Sequence, residues 1–534
     1  MSIKLVDCTL RDGGYYNNWD FSRELINEYL LAMDGIAVDY VELGFRSFSR
    51  SGFKGACAYT TDLFIRTLAC PSRLKLGVMV NASELVTHAD GAVEAARRLF
   101  SPAAESPVTL VRFACHLHEF AETLPACAWL KESGYEVGIN LMQVADRSDE
   151  EIEGIARMAS ACPLDALYFA DSLGSMSPEQ AERIVSLLRK HWSGSLGIHT
   201  HDSMGRALAN TVRAVAAGVT WVDSTVTGMG RGPGNVQTEY VVIEFEKLRN
   251  REINMAPLLA LIRRHFAPLK ARYGWGSNPY YYLAGKHGIH PTYISQMLAD
   301  PRYGESEILS VIEHLRTVGG KKFSIGVMEA GRQMYGGEAS GSWQPATVIA
   351  GREVLILGAG PGVVTHREAV EHFIRKRKPF VIALNTQSAV TAGLIDVRVA
   401  SHPFRLLADC ETYRTLQQPL VVSMSRIPGV VRESLQAVPV LDFGLTVQPG
   451  VYEFRETSAI APTSLAVAYA LAVATSGQAT HILLAGFDGY PADDSRAAEM
   501  MDLLSVYCAH PQAVSMEAIT PSRYDIPATS VYAF

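Results

Sequence analysis

The feature that most restricts this chain is an alternation. Short apolar runs at residues 5–8, 40–45, 75–81, 108–115, 136–142, 166–171, 195–201 and 221–226 are separated by stretches with helical patterning. Parallel strands cannot be joined by a tight hairpin, and helical crossovers of this length supply the connection. Eight strand–helix units within about 250 residues is the size of a (β/α)8 barrel, so a closed TIM barrel is predicted. An open doubly wound sheet alternates in the same way, but the polar residues gathered at strand ends favour closure. Helix starts agree with this segmentation. Ser22 precedes a helical run that stops at Gly35, Ser148 is followed by Glu151, and Ser177 by Pro178 and Gln180, the last two matching the reciprocal capping box. Residues 11–14 read as a loop closing the first strand.

In such a barrel the chemistry sits at the C-terminal ends of the strands. The seventh run ends in Ile198-His199-Thr200-His201-Asp202. Residues two apart on a strand face the same side, so His199 and His201 present two imidazoles together, either as ligands of one ion or as a pair that only packs. Asp12, after the first run, adds a carboxylate. This mixed oxygen and nitrogen set suits Mg2+ or Mn2+, with Zn2+ as the alternative. Arg11 is placed to hold developing negative charge on a substrate oxygen, or else to close the rim through a salt bridge. Glu42 is either catalytic or structural. Arg112 is assigned to substrate, against a structural ion pair, because an unpaired guanidinium inside a barrel is costly. Asn140 and Ser172, at the fifth and sixth strand ends, complete the substrate-facing candidates.

These residues carry a resemblance. Asp7-Cys8-Thr9-Leu10-Arg11-Asp12-Gly13, His199-Thr200-His201-Asp202-Ser203-Met204-Gly205 and Gly228-Met229-Gly230-Arg231-Gly232-Pro233-Gly234-Asn235 occur in an order similar to the DRE-TIM metallolyase superfamily. That superfamily includes 4-hydroxy-2-oxovalerate aldolase, hydroxymethylglutaryl-CoA lyase and isopropylmalate synthase. The resemblance covers about residues 1–275. It implies a divalent ion held by Asp12, His199 and His201 and completed by Asn235, with Arg11 steadying an enolate oxygen. Ala170-Asp171-Ser172-Leu173-Gly174 looks like the aldolase's substrate-contacting strand end, which also nominates Ser172. Two departures stand out. Tyr15 occupies the position of the aldolases' histidine base, and a phenol of pKa about 10 is a poor base near neutrality, although it can donate a proton. The loop 230–234 lacks the lyases' cysteine, which argues against thioester cleavage.

Residues 276–344 change character and are expected to form a helical subdomain and a linker. The stretch Lys286-His287-Gly288-Ile289-His290-Pro291-Thr292-Tyr293 resembles the histidine-bearing segment of the superfamily's acyl-CoA synthases. It nominates His287 and His290, with Tyr293 lining the pocket, as acid/base partners of Tyr15. The same histidines read equally well as surface groups or a dimer contact. After a linker at 336–342, a Rossmann-like α/β domain is expected over 345–534. Its first strand runs into Gly358-Ala359-Gly360-Pro361-Gly362, a turn able to bring backbone amides to a phosphate. Val363 stands where the third glycine of a dinucleotide fingerprint belongs, so an NAD site is not expected. The order of this turn, Asn385, Ser401-His402 and Gly486-Phe487-Asp488 loosely resembles the archaeal pterin pyrophosphokinase-like family. Gly358, Gly360, Gly362 and Asp488 are therefore candidates for binding a nucleotide or phosphorylated sugar.

Composition narrows the functional classes. A net charge of −7 without a basic arm argues against a nucleic-acid or anionic-membrane partner. The 8 cysteines are scattered, with no CxxC, as in a reduced cytoplasmic protein. The apolar run at 464–476 is too short to span a bilayer and reads as a buried helix. The expectation is a cytoplasmic, metal-dependent aldolase acting on a 2-oxo acid such as pyruvate and an aldehyde. A homo-oligomer and a role in sugar or surface-glycan synthesis are expected with it. The alternative is a Claisen-type acyltransferase joining an acyl-CoA to a 2-oxo acid, and a third reading is a binding protein with a silent barrel.

Overall fold

A computed structural model describes residues 3–49, 52–145, 147–299, 305–318, 339–427, 429–490 and 494–534. Of the linker expected at 336–342, residues 336–338 lie outside the described residues. Two compact units result, Met1–Gly304 and Glu305–Phe534.

The first unit is a closed barrel of eight strands: β1 (Lys4–Asp7), β2 (Tyr40–Phe45), β3 (Lys75–Asn81), β4 (Leu110–Cys115), β5 (Glu136–Leu141), β6 (Ala166–Asp171), β7 (Ser195–Thr200) and β8 (Trp221–Ser224). Every neighbouring pair is parallel, and β1 closes on β8 with Val6 opposite Asp223. The TIM barrel read from the alternation is the fold observed. Side chains on alternate positions turn outward and pack beneath the helices, among them Leu5, Val41, Val111, Ile139, Leu167, Ile198 and Val222. Their neighbours turn inward. Val6, Tyr40, Leu110, Ala166, Tyr168 and Trp221 form an apolar plug, with Tyr40 stacked on Trp221 at 4.9 Å between ring centroids. Burying each aromatic contributes roughly 1.5–3 kcal/mol. The next inward positions toward the C-terminal mouth are Glu42, Arg112 and Asp223, two residues beyond Tyr40, Leu110 and Trp221. Gly197 makes this layer fit, because a Cβ there would lie 2.3 Å from the Tyr168 ring.

Local signals hold where their partners are close in sequence. Ser22 caps Arg23–Gly35, and reciprocal capping boxes join Ser148 to Glu151 and Ser177 to Gln180. Residues 11–14 are a correction. They belong to a short helix Thr9–Gly13 followed by a 3-10 turn Gly14–Tyr16. The cause is Asp7, whose carboxylate accepts from the Thr9 N–H (2.9 Å), the Thr9 hydroxyl (2.5 Å), the Tyr29 hydroxyl (2.5 Å) and the Thr238 hydroxyl (2.5 Å), folding the chain back after β1. Helices Pro279–Lys286 and Pro291–Ala299 follow the barrel.

The second unit contains a seven-stranded sheet and a small three-stranded one. In chain order the strands are β9 (Glu353–Leu357), β10 (Phe380–Leu384), β11 (Val397–Val399), β12 (Leu420–Val422), β13 (Val440–Asp442), β14 (Gly444–Val447), β15 (Glu453–Phe454), β16 (Ser458–Ala461), β17 (His481–Ala485) and β18 (Met516–Ala518). The large sheet is parallel throughout, in the order β13-β12-β11-β10-β9-β17-β18. Apolar clusters lie on both its faces, as in a doubly wound α/β domain. The run expected to be a buried helix is one, Ala466–Ser476, and its residues 467–475 are all buried. Among the described residues no helix is long and apolar enough to cross a membrane.

Candidate metal and active site

The turn after β1 sets Arg11 and Asp12 side by side beneath the mouth. The Arg11 guanidinium is held on two sides, by Glu42 through Nε (2.7 Å) and by Asp12 through Nη1. Its Nη2 is buried and has no hydrogen-bond partner among the described residues. Burial alone would push the Asp12 carboxyl up, but Arg11 and His199 more than offset this and hold it well below the usual range.

At the end of β7 the two imidazoles face this carboxylate, with ring centroids 5.0 Å apart. His199 Nε2 lies 3.3 Å from Asp12 Oδ2, while its Nδ1 is 2.9 Å from Asp223 Oδ2. His201 Nδ1 is 2.9 Å from the Asp171 carbonyl, which fixes the proton on Nδ1 and leaves the Nε2 lone pair available. Burial and the neighbouring His199 lower the His201 pKa to about 3, so its imidazole is neutral. His199 is raised instead: burial opposes the charged form, but Asp12 and Asp223 together favour it.

Among the described residues two groups of side chains could hold a metal ion, each with donor atoms within 4.8 Å of one another: Asp12, His199 and His201, and Cys8, His199 and Asp223. The second group already surrounds a cation. Arg112 Nη1 donates to both Asp223 oxygens (2.8 and 2.8 Å) and Nη2 reaches Cys8 Sγ (3.1 Å). In the first group Arg11 takes only Oδ1 of Asp12. Asn235 stands beside it, donating from Nδ2 to Asp12 Oδ2 at 2.5 Å, with its Oδ1 buried and unpartnered. Turning the amide over would offer that oxygen to an ion shared with Asp12. A carboxylate, two imidazoles and an amide oxygen fit a divalent cation, and this first group is the one that fits.

The remaining candidates separate by position. Glu42 is fully buried, with one oxygen on Arg11 and the other on Arg112 Nε (2.7 Å). Arg112, expected on substrate, is also fully buried. Its donors go to Glu42, Asp223 and Cys8, and its guanidinium lies 4.6 Å from the centre of the Tyr168 ring. It locks the layer under the mouth. The contacts form a closed ring, Arg11–Glu42–Arg112–Asp223–His199–Asp12, in which each guanidinium lies between two carboxylates and the His199 imidazole lies between Asp223 and Asp12. Asn140 keeps a buried, unpartnered Oδ1, and the Ser172 hydroxyl accepts from the Gln143 N–H (3.0 Å). His290 and Tyr293 are buried, with ring centroids 6.5 Å apart. Burial, Arg231 and His201 lower the His290 pKa to about 3, and its Nδ1 accepts from the Thr292 N–H, so its proton sits on Nε2. His287 is half-buried at the end of the helix Pro279–Lys286. Tyr15 is 44% exposed, edge-on to Trp19 and 5.2 Å from the Arg231 guanidinium.

In the second unit the glycine turn is occupied by protein. Asp488 accepts from the Gly362 N–H with both carboxylate oxygens (2.9 and 3.0 Å), and the Gly360 N–H donates to the Gly486 carbonyl (2.9 Å). A Cβ at Gly360 would lie 2.1 Å from Asp488, and one at Gly358 2.6 Å from the Gly486 carbonyl. These glycines admit a neighbouring loop.

Sequence reasoning passed over Asp223, the partner of His199 and Arg112. It is a lone acid in β8 with no motif around it, and only its place opposite Val6 in the closed barrel brings it to the site. Asp7 and Arg231 were likewise quoted within motifs without a role.

Comparison with known proteins bears on the barrel as a whole. The HMGL-like family profile matches residues 2–263. The 4-hydroxy-2-oxovalerate aldolase of Pelotomaculum thermopropionicum is 30% identical over 246 residues, covering 46% of this chain and 70% of that protein. The oxaloacetate decarboxylase of Mycobacterium tuberculosis is 26% identical over 246 residues, again 46% and 70%. The solved N-terminal domain of a protein assigned as an aldolase from Bacteroides vulgatus superimposes with a TM-score of 0.51 and 29% identity, covering 56% of this chain and 97% of that domain. Barrel, site and relatives together place the chain, over residues 2–263, in the HMGL-like family of metal-dependent carbon–carbon lyases.

Proposed function

We propose that the barrel catalyses aldol cleavage or addition through the enolate of a 2-oxo acid of the pyruvate type, with an aldehyde as the second partner. The observation that carries this reading is the pairing of the Asp12, His199 and His201 donor set with the unpartnered Nη2 of Arg11 beside it. Asp12, His199, His201 and Asn235 would hold a divalent ion, which when bound supplies Lewis-acid polarisation of the 2-oxo acid oxygens. In the cleavage direction the hydroxyl proton passes to solvent, the carbon–carbon bond breaks, its electron pair passes into the enolate, the former hydroxyl oxygen becomes the aldehyde carbonyl, and the new methyl carbon then takes up a proton from solvent. Arg11 donates from Nη2 to the oxygen that gains charge; Glu42 and Asp12 hold the guanidinium in place, so little reorganisation is needed. With both oxygens committed to arginines, Glu42 positions rather than removes protons. His290, neutral with its proton on Nε2, and Tyr15 at the rim are the groups we assign to the aldehyde-derived oxygen, with Tyr293 lining that side. Asn140 and Ser172 orient the 2-oxo acid. The named activities of the two relatives support the reading, because cleaving a 4-hydroxy-2-oxo acid and decarboxylating oxaloacetate both leave the enolate of pyruvate.

A sugar-derived aldehyde is the acceptor we favour. A nucleotide or phosphorylated sugar at the second unit would have to lie at the carboxyl ends of β9 and β17, where strand order reverses, outside the glycine turn that Asp488 fills. A phosphate on the Gly362 amide would have to displace Asp488. The test of the barrel reading is incubation of the Mn2+- or Mg2+-loaded protein with a 4-hydroxy-2-oxo acid, following pyruvate and aldehyde release. Stoichiometric release of both is expected, and absence of release with either metal would overturn it.

A further inference from the structure

The loop between β8 and the helix Thr238–Glu244 is fixed from several sides. The Asn235 N–H donates to the Gly228 carbonyl (3.1 Å), the Asp202 N–H to Gly234 (2.9 Å), Trp275 Nε1 to Thr227 (3.0 Å), and the Tyr16 hydroxyl to Gly232 (3.4 Å). Gly228, Gly232 and Gly234 have positive φ, which lets the chain turn tightly enough to be held this way. Arg231 projects from the middle of this loop. Its guanidinium lies over the Tyr15 ring, 5.2 Å from the ring centre, and the residue before it, Gly230, approaches the Asn235 amide so closely that a Cβ there would lie 2.5 Å from Oδ1, which puts this part of the loop beside the metal set.

Among the described residues Arg231 has no carboxylate partner. The acids around the mouth are committed elsewhere: Asp12 to Arg11, Glu42 to Arg11 and Arg112, Asp171 to the Ser175 and Met176 amides, Asp202 to Ala207, and Glu239 to Thr227. A half-buried guanidinium held by a rigid loop and paired with no carboxylate offers its planar fork to an incoming anion. The 2-oxo acid already has Arg11 and the metal set, so the anion belongs to the other reactant.

We propose that Arg231 is the specificity-determining residue for the acceptor, and that the aldehyde carries an anionic group, a carboxylate or a phosphate, distant from its carbonyl. Arginine suits both groups, because its planar fork donates two parallel hydrogen bonds to either. This inference rests on the aldolase reading above.

The experiment measures kcat/KM for addition of pyruvate to two matched pairs of aldehydes. Succinic semialdehyde is set against butanal, and glyceraldehyde 3-phosphate against glyceraldehyde. At least one anionic member is expected to be preferred by about 30-fold or more, the size of a charged hydrogen bond. Whichever pair shows the preference identifies carboxylate or phosphate. In Arg231→Gln that ratio is expected to collapse by about the same factor, through KM for the acceptor, with Arg231→Lys intermediate. Ratios near one in both wild-type pairs overturn the inference. So do equal losses for charged and neutral acceptors in Arg231→Gln, or a rise in the KM for pyruvate alone. Deuterium exchange into the pyruvate methyl group, measured on the wild type without any aldehyde, separates the two levels. Exchange without acceptor preference removes only the Arg231 assignment, whereas absence of exchange removes the aldolase reading beneath it.

Discussion

The barrel mouth and the glycine turn of the second unit both look like binding sites in sequence, yet their polar atoms are treated in opposite ways. At the mouth, Arg11 Nη2, Asn140 Oδ1 and Asn235 Oδ1 are buried with no hydrogen-bond partner among the described residues. Each such atom costs about 1–3 kcal/mol, which a folded protein bears where a ligand will supply the missing bond. In the glycine turn the bonds are closed internally. Gly362 donates to Asp488, Gly360 to Gly486 and Gly358 to Ala485, while the Gly358 carbonyl accepts from Gln387. The contrast separates a turn that packs from a site that waits for a partner, and the glycine spacing alone does not draw that line.

The largest effect expected from this contrast is at the metal set. His201→Ala should lose bound divalent metal and lower aldol turnover by about three orders of magnitude, with the fold retained by circular dichroism. Undiminished metal content by elemental analysis would move the site elsewhere. Next comes Arg11→Ala, expected to reduce kcat by about 10²–10³ while metal stays bound, because its unpartnered donor acts on developing charge. A change confined to KM would make Arg11 a carboxylate reader instead. Asp223→Asn tests the layer below. Without the second carboxylate oxygen to fix His199, metal affinity should weaken by about 10–100-fold, measured by competition with a chelating dye. Equal affinity would show that Asp223 serves only Arg112. The smallest effect belongs to the other region: Asp488→Ala should cost the second unit about 1 kcal/mol in denaturant unfolding, from one unpaired amide. A gain in stability would reclassify the glycine turn as a strained site like the barrel mouth.

What was legible in the sequence follows from how far each signal reaches. Strand periodicity, capping serines and the His199–His201 spacing are local, and each appears where it was expected. Asp12 and Arg11 were legible because their motif lies directly after a strand. The helical turn at Thr9–Gly13 was not, because the hydroxyls that pull it tight around Asp7 include those of Tyr29 and Thr238, distant in sequence. The same holds for Asp223 and Arg112, which meet across the barrel interior. Arg112 was read as facing substrate because its two buried counter-charges, Glu42 and Asp223, come from other strands. Asp488 and Gly362 are 126 residues apart, and nothing between them announces that one fills the other's anion position.

The central claim is that the Asp12, His199 and His201 set, with Arg11 beside it, makes a 2-oxo acid enolate. It is tested most directly by nuclear magnetic resonance of pyruvate in deuterated water, following loss of the methyl proton signal with the metal-loaded protein, the chelator-stripped protein and the stripped protein resupplied with Mg2+. The account predicts exchange in the first, its loss in the second and its return in the third. Exchange that persists undiminished after complete removal of metal, or that never occurs with metal bound, would contradict it.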